Sequence, residues 1–480
     1  MIKYQVSKQR KILRNLGNME AKKLNNEIIL NDQQQEIYNE MMNGKSLFIT
    51  GPSGTGKSEL IKKFYRDMIS PTKEMEFFGN IALTSTTGIS AFNIGGTTMH
   101  SFLGIGLGTE TLETLYKKLT KSSFYRSRWT ETKTIIIDEI SMLDPDLFDK
   151  IEELARKIRR NEMPFGGMQV IATGDYHQLP CVGNVKFCFD SKSWNKCIIK
   201  VYYLQKIIRQ SDVIFQNCLN EIRIGKPSKE TMKILKACIG KELQITNGIK
   251  PTRMYPLKIN VDDINKTELE KLVNENSLEI YQYELTVTPS RKYRGDLKID
   301  VERFLKNARP NRILELCIGA QVICIYNLMP DFGIVNGSRG VVSKFGENDL
   351  PIVKFLNGME IPISYQTWDV MDKDDKVLTF EQIPLKLAWA TTIHSSQGLT
   401  LDYLELSVAG IFEFGQFYVG ISRAKSLEGL SILENFGKST IKAHPDALEF
   451  YSNLERLTQL ENSDQPKQTE QLEKIKILKI

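Results

Sequence analysis

The chain lacks any run of about 18 apolar residues, the length a helix needs to cross a bilayer. It has only four histidines and no H-E-x-x-H. Its seven cysteines, spread from Cys181 to Cys324, include no C-x-x-C pair. These absences argue against a zinc-peptidase centre, a zinc-finger pattern and a disulfide framework, and fit reduced, mostly buried thiols. Acidic residues are missing from Met1 to Met19, which carries Lys3, Lys8, Arg10, Lys11 and Arg14. That segment has no apolar core of a secretory signal, so residues 1–28 read as a basic N-terminal arm, with a mitochondrial presequence as the weaker alternative. No segment repeats at a fixed period. Net charge is a mild +6, which permits a nucleic-acid partner without arguing for one.

With 480 residues the chain is too long for one ordinary core. Its most informative stretch is Ser46 to Ser58, a short apolar strand running into a complete G-x-x-x-x-G-K-S phosphate loop. In Gly51, Pro52, Ser53, Gly54, Thr55, Gly56, Lys57 and Ser58 the glycines let backbone N–H groups wrap a polyphosphate. Lys57 supplies a charge near the β and γ phosphates, and the Ser58 hydroxyl is placed for Mg²⁺. The helical pattern from Glu59 to Met68 points its N-terminus at the same anion. A chance match in a chain of this length has odds of roughly 2%, so ATP or GTP is the expected ligand.

From Leu30 to about Tyr202 short β-rich runs alternate with helical stretches. Ser46–Thr50, Asn80–Ser85, Thr134–Ile137 and Gln169–Thr173 read as strands of a parallel sheet, with ligands at their carboxyl ends. The expected layout is a first ATPase domain over 29–200 with a small insertion at about 101–130, and a second α/β domain made of 201–278 and 377–445. Between those two parts lies an inserted module, 279–376, with β-rich runs and the hairpin signals Asn336-Gly337 and Asn357-Gly358. A C-terminal helix and polar tail fill 446–480.

Thr134 to Asp138 ends in two adjacent carboxylates, Asp138 and Glu139. Beside a phosphate loop, the first suits the Mg²⁺ shell and the second suits orienting and deprotonating the attacking water. Gln178, in Gly174 to Pro180, can contact a γ-phosphate and that water. Phosphoryl transfer builds negative charge that guanidinium groups neutralise, and Arg209 and Arg423 stand in the second block.

This ordered set resembles a superfamily 1B helicase, specifically the PIF (petite integration frequency) family of DNA helicases, from Leu30 to about Leu433. Leu30 to Gln34 is similar to the family's glutamine motif, which implies that Gln34 reads adenine. Thr84 to Gly88 with Gly96 to Ser101 resembles its single-strand motif. Asp212 to Gly225 is similar to the family signature, and Val261 to Asn265 to a further second-domain motif. Gly319 to Val322 and Val335 to Gly340 resemble an inserted SH3-like module. Ala390 to Gly398 resembles the motif that links DNA to the ATP cleft. Three positions depart from the pattern: Ser395 where lysine is usual, Cys181 where a second proline is usual, and His177 in place of an aromatic or apolar residue.

The resemblance implies an α/β fold of two RecA-like domains with parallel sheets, clasping ATP and Mg²⁺ between them. Its implied strand contacts are Thr86, Gly88, His100, Thr392, His394 and Gln397. Phe92, Phe102 and Phe187 can stack on bases, although core packing is the more ordinary role. Lys121–Arg128, basic with interleaved aromatics, reads equally as a DNA contact or a solvated loop. The expected activity is ATP-driven 5′→3′ translocation on single-stranded DNA with unwinding, in replication, repair, recombination or telomere and genome maintenance. The expected partners are single-stranded and forked DNA and other replication or repair proteins, with no membrane. A monomer acting inside the cell wherever DNA is maintained is expected. An RNA helicase of the same superfamily and a non-unwinding ATP switch remain open.

Overall fold

The computed structural model describes residues 30–461, apart from 70–80, 107, 182–185, 211, 246–249, 292, 294, 309, 327, 330–331, 333, 335–336, 373–374 and 398. The basic arm, the polar tail beyond 461 and the Asn336 turn position lie outside the described residues.

Six parallel strands form the first sheet: β1 (Leu47–Thr50), β2 (Ile81–Ser85), β3 (Thr97–Thr98), β4 (Thr134–Asp138), β5 (Gln169–Gly174) and β6 (Lys200–Tyr203), in spatial order β3-β2-β4-β5-β1-β6. Strands covered on both faces read as continuous apolar runs, and β1 and β4 are buried at every residue. Side chains alternate across the sheet. Phe48, Ile135 and Ile137 face a core shared with helix Pro145–Arg159, while Leu47, Ile49 and Ile136 face helices Asp32–Met42 and Lys57–Ile69. Register brings Thr50 level with Gly174, and Ser85 level with Asp138. The loops with the chemistry therefore leave one edge of the sheet together.

The strands draw some boundaries differently from the sequence pattern. Lys200–Tyr203 pairs with β1, so the first sheet extends past 200, because its outermost strand is supplied by the start of the expected second block. The second sheet is four parallel strands in the order Ala390–Thr392, β7 (Thr252–Tyr255), Leu404–Leu406 and Leu430–Ile432. It resumes at Ala390 and not at 377, since Asp375–Gln382 and Leu385–Leu387 belong to antiparallel sheets of the inserted part. That part holds a five-stranded, a three-stranded and a two-stranded antiparallel sheet. The Asn357-Gly358 hairpin joins Pro351–Phe355 to Glu360–Pro362.

The 101–130 insertion contains helices Leu112–Lys121 and Ser123–Glu131, packed through Leu115, Leu119 and Trp129 into the first core. Lys121–Arg128 is accordingly not a loop: Ser122 caps the second helix, and Arg128 stacks over Phe124 at 4.1 Å. The C-terminal helix Pro445–Glu461 also enters the first core, through Ala447, Phe450 and Tyr451. Phe450 stacks on Phe189 at 4.5 Å between ring centroids. Phe450→Ala is expected to cost about 3–5 kcal/mol, the range for deleting a buried aromatic. Urea unfolding of the full chain checks this, and a loss below 1 kcal/mol contradicts the helix's membership of that core.

Candidate nucleotide cleft and strand groove

Gly51 has φ +144°, and a Cβ there would stand 2.3 Å from the Leu204 carbonyl oxygen. Only glycine lets the phosphate loop pass so close to the chain leaving β6. The same segment returns over the loop, where the N–H groups of Ile208 and Arg209 donate to the Gly54 carbonyl at 2.7 and 3.1 Å. Lys57 Nζ folds back onto the Gly51 and Pro52 carbonyls at 2.8 and 2.9 Å. Burial pushes its pKa down, against the opposing charges of Asp175, Glu139 and Asp138. Gln34 closes a capping box with Asn31 and donates from Nε2 to the Thr55 carbonyl at 3.2 Å, which ties the glutamine motif to the loop.

Asp138 ends β4 with its carboxylate fully engaged. It accepts from Ser58 at 3.3 Å, Ser90 at 2.9 Å, the Glu139 N–H at 3.0 Å, and Thr173. The next residue, Glu139, adopts left-handed backbone with φ 56°. Burial, then the neighbouring Asp138 charge, raises its pKa to about 7. A carboxylate poised there suits general-base work. Thr86 donates to the Glu139 carbonyl at 2.8 Å, and Gln397 Nε2 reaches Glu139 Oε2 at 3.5 Å. Gln397, expected on the strand, thus stands at the cleft.

Both expected arginines converge on one hydroxyl. Arg209 and Arg423 donate to Ser53 Oγ at 3.0 and 3.1 Å, while the Ser53 N–H donates to the Tyr418 hydroxyl at 2.9 Å. Arg423 is 1% exposed, and burial followed by repulsion from Arg209 lowers its pKa to about 9. Neither guanidinium pairs with a carboxylate among the described residues. Gln178 Nε2 lies 3.4 Å from Asp175 Oδ2. The second block presses on this loop at Gly415, where a Cβ would stand 2.6 Å from the His177 and Gln178 carbonyl oxygens.

Sequence reasoning missed Asp175, Arg223 and Tyr451. Arg223 Nη2 pairs with Asp175 Oδ1 at 2.8 Å, both almost wholly buried. Burial opposes ionisation of Asp175, and the Arg223 charge overrides it, holding its pKa at about 2. The signal was present in part, since Arg223 falls in the Asp212 to Gly225 stretch.

A second feature is a cavity of about 660 Å³ between the second sheet and the inserted part. Thr392, His394 and Ser395 line it with Lys258, Lys266 and Arg339. His394 Nε2 is 3.1 Å from Glu413, and the Thr392 hydroxyl accepts from the Ser395 N–H at 3.0 Å. Arg339 is 7% exposed, and its Nε has no hydrogen-bond partner among the described residues. Gly88 begins the short helix Gly88–Asn93 after β2, His100 lies in the helix Met99–Leu103 after β3, and neither lines this cavity. Burial lowers the His100 pKa. Phe187 is a core residue at 1% exposure, Phe102 packs against the same core, and the Phe92 side chain lies outside what is described.

Residues 29–233 match the family model of PIF1-like helicases, and 301–345 match that of the DNA helicase Pif1 2B domain. A protein of invertebrate iridescent virus 6 is 37% identical, over 92% of this chain and 98% of its own. The zebrafish (Danio rerio) ATP-dependent DNA helicase PIF1 is 39% identical over 89% of this chain. The chain spans 64% of that relative's length. The crystal structure of Candida albicans Pif1 helicase superposes with a TM-score of 0.77 at 36% identity, covering 89% of this chain and all of that one.

The Glu139 environment gives a direct check. Carboxylate difference spectra of wild type minus Glu139→Gln, taken without nucleotide, are expected to show one group titrating near pH 7. A midpoint in the ordinary carboxylate range of about 4 to 5 contradicts the burial argument.

Proposed function

The chain belongs to the PIF1-like helicase family, and from that premise we propose that it hydrolyses ATP to move along single-stranded DNA and part the duplex. The observation that carries the proposal is the meeting of Arg209 and Arg423 on Ser53, deep in the phosphate loop. Guanidinium groups from beyond the first sheet stand where the charge of a transferring phosphoryl develops.

The chain's own groups divide the work. Lys57 exchanges the Gly51 and Pro52 carbonyls for phosphate oxygens, and Gln34 reads the adenine edge. Arg209 and Arg423 turn from Ser53 to the γ-phosphate. Glu139 takes the proton of the attacking water, with Gln178 beside it reporting whether the phosphate is present. Ser58 and Asp138 are the hard oxygen donors that would hold Mg²⁺, which offsets phosphate charge when bound. Their 3.3 Å approach supports that assignment.

The DNA strand runs from Thr86, Gly88 and His100, just beyond the ends of β2 and β3, to Thr392, His394 and Ser395 in the lined cavity. Lys258, Lys266 and Arg339 neutralise its phosphates there. Gln397, touching Glu139, connects strand and cleft. The five-stranded antiparallel sheet is the SH3-like part of the inserted module. Movement is 5′→3′, and opening a duplex costs about 1.4 kcal/mol per base-pair step, within reach of one nucleotide cycle.

Strand displacement on partial duplexes with 5′ or 3′ tails tests the proposal. ATP-dependent release from the 5′-tailed DNA alone is expected; release only from RNA substrates, or none with intact strand binding, overturns it. Lys57→Ala is expected to abolish phosphate release while strand affinity stays within about threefold, read by fluorescence anisotropy. Glu139→Gln is expected to retain bound ATP, and rapid turnover by it excludes Glu139 as the base.

A further inference from the structure

Helix Pro445–Glu461 lies beyond both family-model matches, yet its Tyr451 reaches the floor of the cleft. The Tyr451 ring stacks on His177 with centroids 4.6 Å apart, and the Arg223 guanidinium sits 4.8 Å from it on the other block. Its hydroxyl is 2.5 Å from Thr50 Oγ1, accepts from the Tyr176 N–H at 3.1 Å, and lies 3.4 Å from Asp175 Oδ1.

The hydroxyl's partners come from two segments, the end of β1 and the loop after β5, and the Arg223 that clamps Asp175 brings in a third. Thr50 is the last residue of β1, directly before Gly51. Tyr176 stands two positions before Gln178. Asp175 is clamped by Arg223, the final residue of helix Val213–Arg223. A buried hydroxyl needs its hydrogen bonds satisfied, and this one is satisfied only while the phosphate loop's base and the Gln178 loop hold their relative positions.

We propose that Tyr451 is a positioning residue for ATP hydrolysis. Its hydroxyl sets the Gln178 loop in register with the phosphate loop, and its ring, with the Asp175–Arg223 pair, relays the position of the second block to both. The inference rests on the hydrolysis proposed above. It explains why a C-terminal helix packs into an N-terminal core. His177, which replaces an aromatic or apolar residue in the family pattern, supplies the flat surface for the stack.

Tyr451→Phe in the full chain is the test, because it keeps the ring and deletes only the hydroxyl. DNA-stimulated kcat is expected to fall about tenfold while KM for ATP stays within about twofold, the pattern of misplaced rather than missing groups. Thr50→Val, which removes the partner hydroxyl, is expected to lower kcat similarly. The double variant should be no worse than the poorer single one. A purely structural tyrosine would lower the melting temperature and leave kcat per folded molecule unchanged. That result, a change confined to KM, or additive losses in the double variant would overturn the inference while the hydrolysis reading stands. A wild-type chain that releases no phosphate with DNA present would remove both.

Discussion

Positive charge held close to positive charge in a low-dielectric cleft is the constraint on which the structure depends. Lys57, Arg209 and Arg423 crowd the phosphate loop, and Arg209 repels Arg423 strongly enough to contribute to its lowered pKa. Three neutral partners hold the guanidinium groups, the Ser53 and Ser422 hydroxyls and the Val419 carbonyl. Isolated charges are expensive to bury, so a polyanion is the natural counterpart of such a cluster. The acidic half, Asp138 and Glu139, sits across the cleft at the end of β4. The separation between this cationic loop and the carboxylate pair is short, Ser58 Oγ lying 3.3 Å from Asp138 Oδ2.

That separation needs two bodies held firmly in relation. The Asp175–Arg223 pair is a buried ion pair whose geometry is bidentate and whose carboxylate is further hydrogen-bonded, the arrangement in which desolvation is best offset. Around it Tyr203, Tyr418 and Tyr451 place three phenols that bridge β6, the second block and the C-terminal helix. Breaking one contact exposes unsatisfied partners on both sides.

Much of this was legible along the chain. The phosphate loop, the carboxylates of β4 and the Gln178 loop each follow an apolar strand, so local pattern places them at one sheet edge. What the chain did not reveal is pairing over long separations. Lys200–Tyr203 has the same β-rich character whichever sheet it joins, and only its pairing with β1 decides. Residues 375–387 carry strand pattern equally compatible with the inserted part, where they belong. Tyr451 meets Thr50 across 401 positions and Tyr418 meets Ser53 across 365, distances no periodicity encodes. In Lys121–Arg128, Ser122 is the capping signal of a helix, and the aromatics that could equally stack on bases instead pack within the protein, Phe124 under Arg128.

In the proposed mechanism, guanidinium groups carried by the segment leaving the first sheet and by the second block complete the cleft for phosphoryl transfer. Single-turnover phosphate release by Arg423→Lys, which keeps the charge but loses the planar fork, tests it most directly, with ATP affinity measured on the same preparation. A loss of about 10³-fold in rate is expected, with ATP affinity within about tenfold of wild type. Release at more than a tenth of the wild-type rate, with ATP bound normally, would contradict it.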